Sequence, residues 1–117
     1  MRILTFAISV LLTAMSGTGV EAHAFLDHAE PRVGSTVPTA PRALSLSFTQ
    51  KLEPAFSSVE VSDANGTRVD LGKPSISLSV MRVGLKPLSP GTYRVRWHVL
   101  SVDTHTTEGS FTFQVGQ

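Results

Sequence analysis

The chain has 117 residues, no cysteine, 10 Lys+Arg against 9 Asp+Glu and 41% apolar residues, which bounds it to one small domain of formal net charge +1. That balance, with no run of cations and with Phe residues that are not interleaved with Lys or Arg, argues against nucleic-acid binding. The absence of thiols excludes disulfides, iron–sulfur clusters and thiolate metal sites, so any bound metal must be held by His, carboxylate, amide or amine groups.

Residues 1–22 read as a secretory signal. Arg2 precedes an apolar run over residues 3–12 that is too short to cross about 30 Å of hydrocarbon. Small residues follow at Ser16-Gly17-Thr18-Gly19, and then Val20-Glu21-Ala22, a variant of the A-x-A cleavage pattern. Cleavage after Ala22 would leave a domain spanning 23–117 that begins with His23.

Beyond that point Pro and Gly interrupt the chain too often for a long helix, and the periodicity is that of strands. A first strand is expected over residues 24–29, followed by an irregular connection where Pro31, Pro38 and Pro41 withhold backbone donors. Leu44, Leu46 and Phe48 alternate with Ser45 and Ser47, and Val59 and Val61 with Glu60 and Ser62. Asp63-Ala64-Asn65-Gly66 supplies residues that tolerate positive φ, the signature of a hairpin turn, with a further strand over residues 67–71. Ile76, Leu78 and Val80 alternate with serines as one strand. Pro90-Gly91 marks a turn ahead of Tyr93, Val95, Trp97 and Val99, whose polar counterparts are Arg94, Arg96 and His98. Phe111, Phe113 and Val115 close the pattern. The chain is therefore all-β, with about seven short strands in a two-sheet sandwich sharing one core. Trp97 and Tyr93 share the apolar face of their strand and are expected in that core, with Met81 packed in it or at its edge.

The chemically distinctive residues are His23, His28, His98, His105, Asp27, Asp103 and Glu108. An N-terminal His23 would offer its α-amine and its own Nδ1 to one metal ion as a six-membered chelate. Asp103 and His105 are one residue apart, which in extended backbone turns both side chains to one face. Together these residues give nitrogen donors and one carboxylate in a square set, which suits the tetragonal N,O preference of Cu(II). D-x-H alone is a weak signal; joined to a terminal histidine it favours a metal site. His28 and His98 read as solvated surface groups, and Asp27 and Glu108 as surface carboxylates rather than acceptors orienting a metal-bound imidazole.

The ordered set His23-Ala24-Phe25-Leu26 leading to Pro31, Leu44-Ser45-Leu46-Ser47-Phe48-Thr49, Leu52-Glu53-Pro54 with Phe56-Ser57, residues 88–97, and Ser101-Val102-Asp103-Thr104-His105 with Gly109 and Phe113 resembles the CopC family of periplasmic copper-resistance proteins. The resemblance covers essentially the whole mature chain. It implies a cupredoxin-like or immunoglobulin-like Greek-key β-sandwich of periplasmic location, acting as a Cu(II) carrier or buffer rather than an enzyme. It implies a Cu(II) site formed by the α-amine and imidazole of His23 with Asp103 and His105, and suggests a CopD-type inner-membrane protein as partner; the expectation is one Cu(II) per chain and a monomer. Some family members carry a methionine-rich Cu(I) site; here Met81 alone remains after signal removal, which points to the short, Cu(II)-only type. Two other readings stand beside it. A terminal histidine paired with a second histidine also resembles the histidine brace of oxidative copper enzymes, which need a flat aromatic substrate surface, and a sandwich of this size can serve as a metal-free scaffold.

Overall fold

The computed structural model describes residues 24–116. The expected signal over residues 1–22 and His23 lie outside the described residues.

Eight strands make up the sandwich: β1 (Leu26–Glu30), β2 (Thr36–Val37), β3 (Ala43–Phe48), β4 (Ser58–Ser62), β5 (Ser75–Ser77), β6 (Val80–Gly84), β7 (Gly91–Leu100) and β8 (Thr106–Val115). One sheet runs β1-β3-β6-β5 and the other β2-β8-β7-β4, so the β3 to β4, β4 to β5 and β6 to β7 connections each pass from one sheet to the other. The expected all-β sandwich is what the chain forms. No helix among the described residues is long and apolar enough to cross a membrane.

Alternation decides which face is buried. Leu44, Leu46 and Phe48 of β3 face Val59 and Val61 of β4 and Tyr93, Val95, Trp97 and Val99 of β7 in one apolar core, with Met81 and Val83 from β6. Phe48 and Trp97 lock the two sheets together edge to face, with ring centroids 5.2 Å apart at 74°. Tyr93 stacks on its cross-strand partner Phe113 at 5.6 Å and donates its hydroxyl to the Ser89 carbonyl at 2.6 Å, so its polar end is satisfied. Burying these side chains contributes on the order of 1.5–3 kcal/mol each.

The long hairpin β7/β8 is the backbone of the second sheet, in unbroken register from Gly91 opposite Val115 to Leu100 opposite Thr106. Its tip, residues 101–105, closes one end of the sandwich.

The structure departs from the sequence expectation in three places. The run from Ile76 to Val80 is two strands, because a two-residue turn at Leu78 and Ser79 reverses the chain and pairs Ile76 with Met81. Residues 67–71 form only isolated bridges, Arg68 with Ser62 and Asp70 with Leu85. The proline-rich connection yields a short strand, β2, that adds parallel to the end of β8.

Candidate metal centre

The tip of the β7/β8 hairpin carries both sequence-predicted ligands described by the structure. Backbone bonds tie it down: Ser101 N–H donates to the His105 carbonyl at 3.0 Å, and Thr104 N–H to the Ser101 carbonyl at 2.9 Å. Val102 N–H donates to the Lys51 carbonyl at 3.0 Å and Glu53 N–H to the Leu100 carbonyl at 2.8 Å, so residues 51–53 buttress the tip.

Asp103 and His105 do come together, but through a turn rather than an extended strand. Thr104 between them has φ 72°, a left-handed conformation that a β-branched residue rarely adopts. The turn folds the Asp103 carboxylate back over its own backbone. Its Oδ1 accepts from the Ser101 hydroxyl and from the His105 N–H at 3.3 Å. Its Oδ2 is shielded from solvent, has no hydrogen-bond partner of its own, and lies 3.5 Å from His105 Nδ1.

The electrostatics follow from those contacts. The Ser101 hydroxyl, above all, holds the Asp103 carboxyl below the ordinary carboxylate range, with help from the His105 N–H and imidazole and against partial desolvation. A carboxylate with one occupied and one unpartnered oxygen beside a half-exposed imidazole places two donor atoms side by side. A cation held at about 2.0–2.2 Å from each ligand can span the gap.

The start of the described chain is fastened to this same end. Ala24 is fully buried, and its carbonyl accepts from Thr107 Oγ1 at 2.6 Å, two residues beyond His105. Phe25 exchanges two bonds with Thr49, giving its N–H to Thr49 Oγ1 and accepting from Thr49 N–H, both at 2.9 Å. Residues 24 and 25 thus bridge the two sheets next to the hairpin tip.

The other polar candidates are elsewhere. His28 Nδ1 sits 3.1 Å from Asp27 Oδ2, an exposed pair on β1. His98 faces outward on β7 between Ser58 and Glu108, beside a groove of about 320 Å³ that also involves Glu60 and Arg96 but neither Asp103 nor His105. Trp97 and Tyr93 are buried as expected, at 9% and 5% exposure, and form no surface platform. Met81 is 1% exposed in the core. Among the described residues no three His, Asp or Glu side chains gather in one place, so Asp103 and His105 stand as a pair. Ser101 and Thr107 were not predicted from the sequence; each is a hydroxyl within two residues of a residue of the D-x-H pair, the signal by which they could be found.

A model of the CopC domain matches residues 26–116. Protein YobA of Escherichia coli strain K12 is 34% identical over 118 residues, covering 97% of this chain and 95% of that protein. Copper resistance protein C of Xanthomonas campestris pv. juglandis is 30% identical over 123 residues, covering 97% of this chain and 96% of that protein. The crystal structure of CopC from Methylosinus trichosporium OB3b superposes with a TM-score of 0.76 at 31% identity, covering 80% of this chain and 94% of that one.

Proposed function

Because the chain belongs to the CopC family of copper-resistance proteins, we propose that it is an exported Cu(II)-binding protein that carries or buffers copper in the periplasm without turning it over. Signal cleavage after Ala22 frees the amine of His23, and that amine, its imidazole, the Asp103 carboxylate and the His105 imidazole hold one Cu(II) per monomer. The observation that carries this reading is the convergence of Asp103 and His105 on the end of the sandwich where Ala24, the covalent neighbour of His23, is fastened to Thr107.

The donor chemistry supports the oxidation state. Nitrogen and carboxylate donors favour Cu(II), whereas Met81, the only methionine left after signal removal, is sealed in the core and offers no thioether for a soft Cu(I) site. Family resemblance further supports delivery to, or receipt from, a CopD-type inner-membrane protein.

The test uses the exported protein. Mass spectrometry locates its N-terminus, and Cu(II) is titrated into the form beginning at His23 and into one carrying a single extra residue ahead of it. Extension turns the amine into an amide and removes one nitrogen donor, so binding is expected to weaken sharply. Equal binding by both forms would refute the ligand set.

A further inference from the structure

Within the copper reading given above, we propose that Ser101 is the positioning residue of the site: its hydroxyl occupies Asp103 Oδ1 and thereby presents Oδ2, beside the His105 imidazole, as the oxygen that meets the ion.

Three observations and one chemical rule carry this. Ser101 is 0% exposed, so its hydroxyl has no solvent to satisfy it and must bond within the protein. It has two acceptors within reach, Asp103 Oδ1 and, at 3.3 Å, the His105 carbonyl. A hydroxyl has one proton to give, and bonding to an ionised acceptor is the stronger choice. Asp103 Oδ2 is the buried oxygen left without a hydrogen bond, and it is the one that lies 3.5 Å from His105 Nδ1.

Rotation about the Asp103 side chain would exchange the two oxygens; the His105 N–H, which also meets Oδ1 but at a long 3.3 Å, resists it weakly, and the Ser101 hydroxyl is the stronger hold. Ser101 fixes one orientation before the metal arrives, so binding need not also order the ligand. The backbone of the tip does not need the hydroxyl for its own closure, because Ser101 N–H bonds the His105 carbonyl at 3.0 Å independently of the side chain. Ser101→Ala therefore removes the orienting bond and leaves the turn.

A double-mutant cycle on the form beginning at His23 tests the assignment, comparing wild type, Ser101→Ala, Asp103→Ala and the double variant. Cu(II) affinity is read by competition with a chelator, the coordination sphere by electron paramagnetic resonance, and the copper-free fold by thermal unfolding. Ser101→Ala is expected to lose about 10- to 100-fold in affinity, as loss of a group orienting a metal ligand does. Its copper spectrum is expected to shift toward that of Asp103→Ala, and the double variant to bind no more weakly than Asp103→Ala alone. Full additivity of the two losses, or a Ser101→Ala protein with wild-type affinity and spectrum, overturns the proposal while leaving the copper function standing. Failure of the wild type itself to bind Cu(II) overturns both.

Discussion

Thr107 and Ala24, 83 positions apart in sequence, are joined by a 2.6 Å hydrogen bond from the threonine hydroxyl on β8 to the alanine carbonyl. The bond fixes the beginning of the described chain beside the hairpin tip that carries Asp103 and His105. A site that uses the preceding residue depends on that fastening, because consecutive Cα atoms are about 3.8 Å apart and a fixed Ala24 restricts where a neighbouring ligand can reach.

Thr107→Val keeps the shape of the side chain and deletes the donor, leaving the carbonyl of a buried residue unpaired. We expect a stability loss of about 1–3 kcal/mol in urea unfolding, together with weaker Cu(II) retention by the form beginning at His23. Thr107→Ser restores both. Unchanged copper retention in Thr107→Val would show that the pairing of Phe25 with Thr49 suffices to hold the entry segment.

Asp70 makes a structural claim independent of copper. Its carboxylate, 1% exposed, is gripped by Arg68 Nε at 2.8 Å and Nη2 at 2.9 Å and accepts the Val61 N–H at 2.9 Å and the Gly72 N–H at 3.3 Å. Burial alone would raise its pKa, but these partners outweigh it and bring the group down from 3.8 to about 2. A lowered value means that the native state binds fewer protons than the unfolded one there. The stabilisation is thus complete above the ordinary carboxylate range and is lost as pH falls from 3.8 toward about 2. Asp70→Asn is expected to cost about 2 kcal/mol at neutral pH and to flatten the acid limb of stability against pH, measured by denaturant unfolding at a series of pH values.

The parts of this molecule that the sequence disclosed are those where one periodicity governs a long element. In β7, Tyr93, Val95, Trp97 and Val99 alternate with Arg94, Arg96 and His98 over ten residues, and every inward position is buried. The Asp63-Ala64-Asn65-Gly66 turn was equally legible, since Gly66 takes φ 84° and Asp63 Oδ1 accepts the N–H of both Asn65 and Thr67 at 2.9 Å. The hairpin between β5 and β6 was not, because Leu78 adopts φ 57° where a turn of this kind ordinarily takes Gly or Asn, and the alternation of apolar and serine residues runs through it unbroken. The same applies to the site. The identities of Asp103 and His105 were readable, but their meeting depends on Thr104 at φ 72°, a conformation that a threonine does not advertise.

Copper affinity should depend on pH through nitrogen, not oxygen. In the ligand set proposed above, Cu(II) competes with protons for its nitrogen donors, whereas the Asp103 carboxyl is held below its ordinary range chiefly by Ser101. Lowering the pH from about 8 to about 5 is expected to reduce affinity by about one to three decades per unit. Asp103→Asn should shift that profile down without changing its slope. Competition titrations at fixed pH check both statements, and a flat profile in the wild type would exclude an amine and imidazole ligand set.

Gly109 shows how the core and the hairpin constrain each other. It lies opposite Trp97 in the β7/β8 register, and a Cβ placed there would meet Trp97 Cζ2 at 2.6 Å and Cε2 at 2.9 Å, inside any tolerable contact. The indole is also held in an edge-to-face contact with Phe48 of the opposite sheet, at 5.2 Å between ring centroids, so moving it disturbs the core. Gly109→Ala must therefore displace the tryptophan or spread β7 from β8, at a cost of about 1–3 kcal/mol in overpacking. Because Gly109 lies on β8 only four residues beyond His105, a spread hairpin would loosen the tip, whereas a displaced indole would not. Urea unfolding should report the lost stability and tryptophan fluorescence the altered packing. Copper retention distinguishes the two routes, being unchanged if only Trp97 moves and weakened if the strands part.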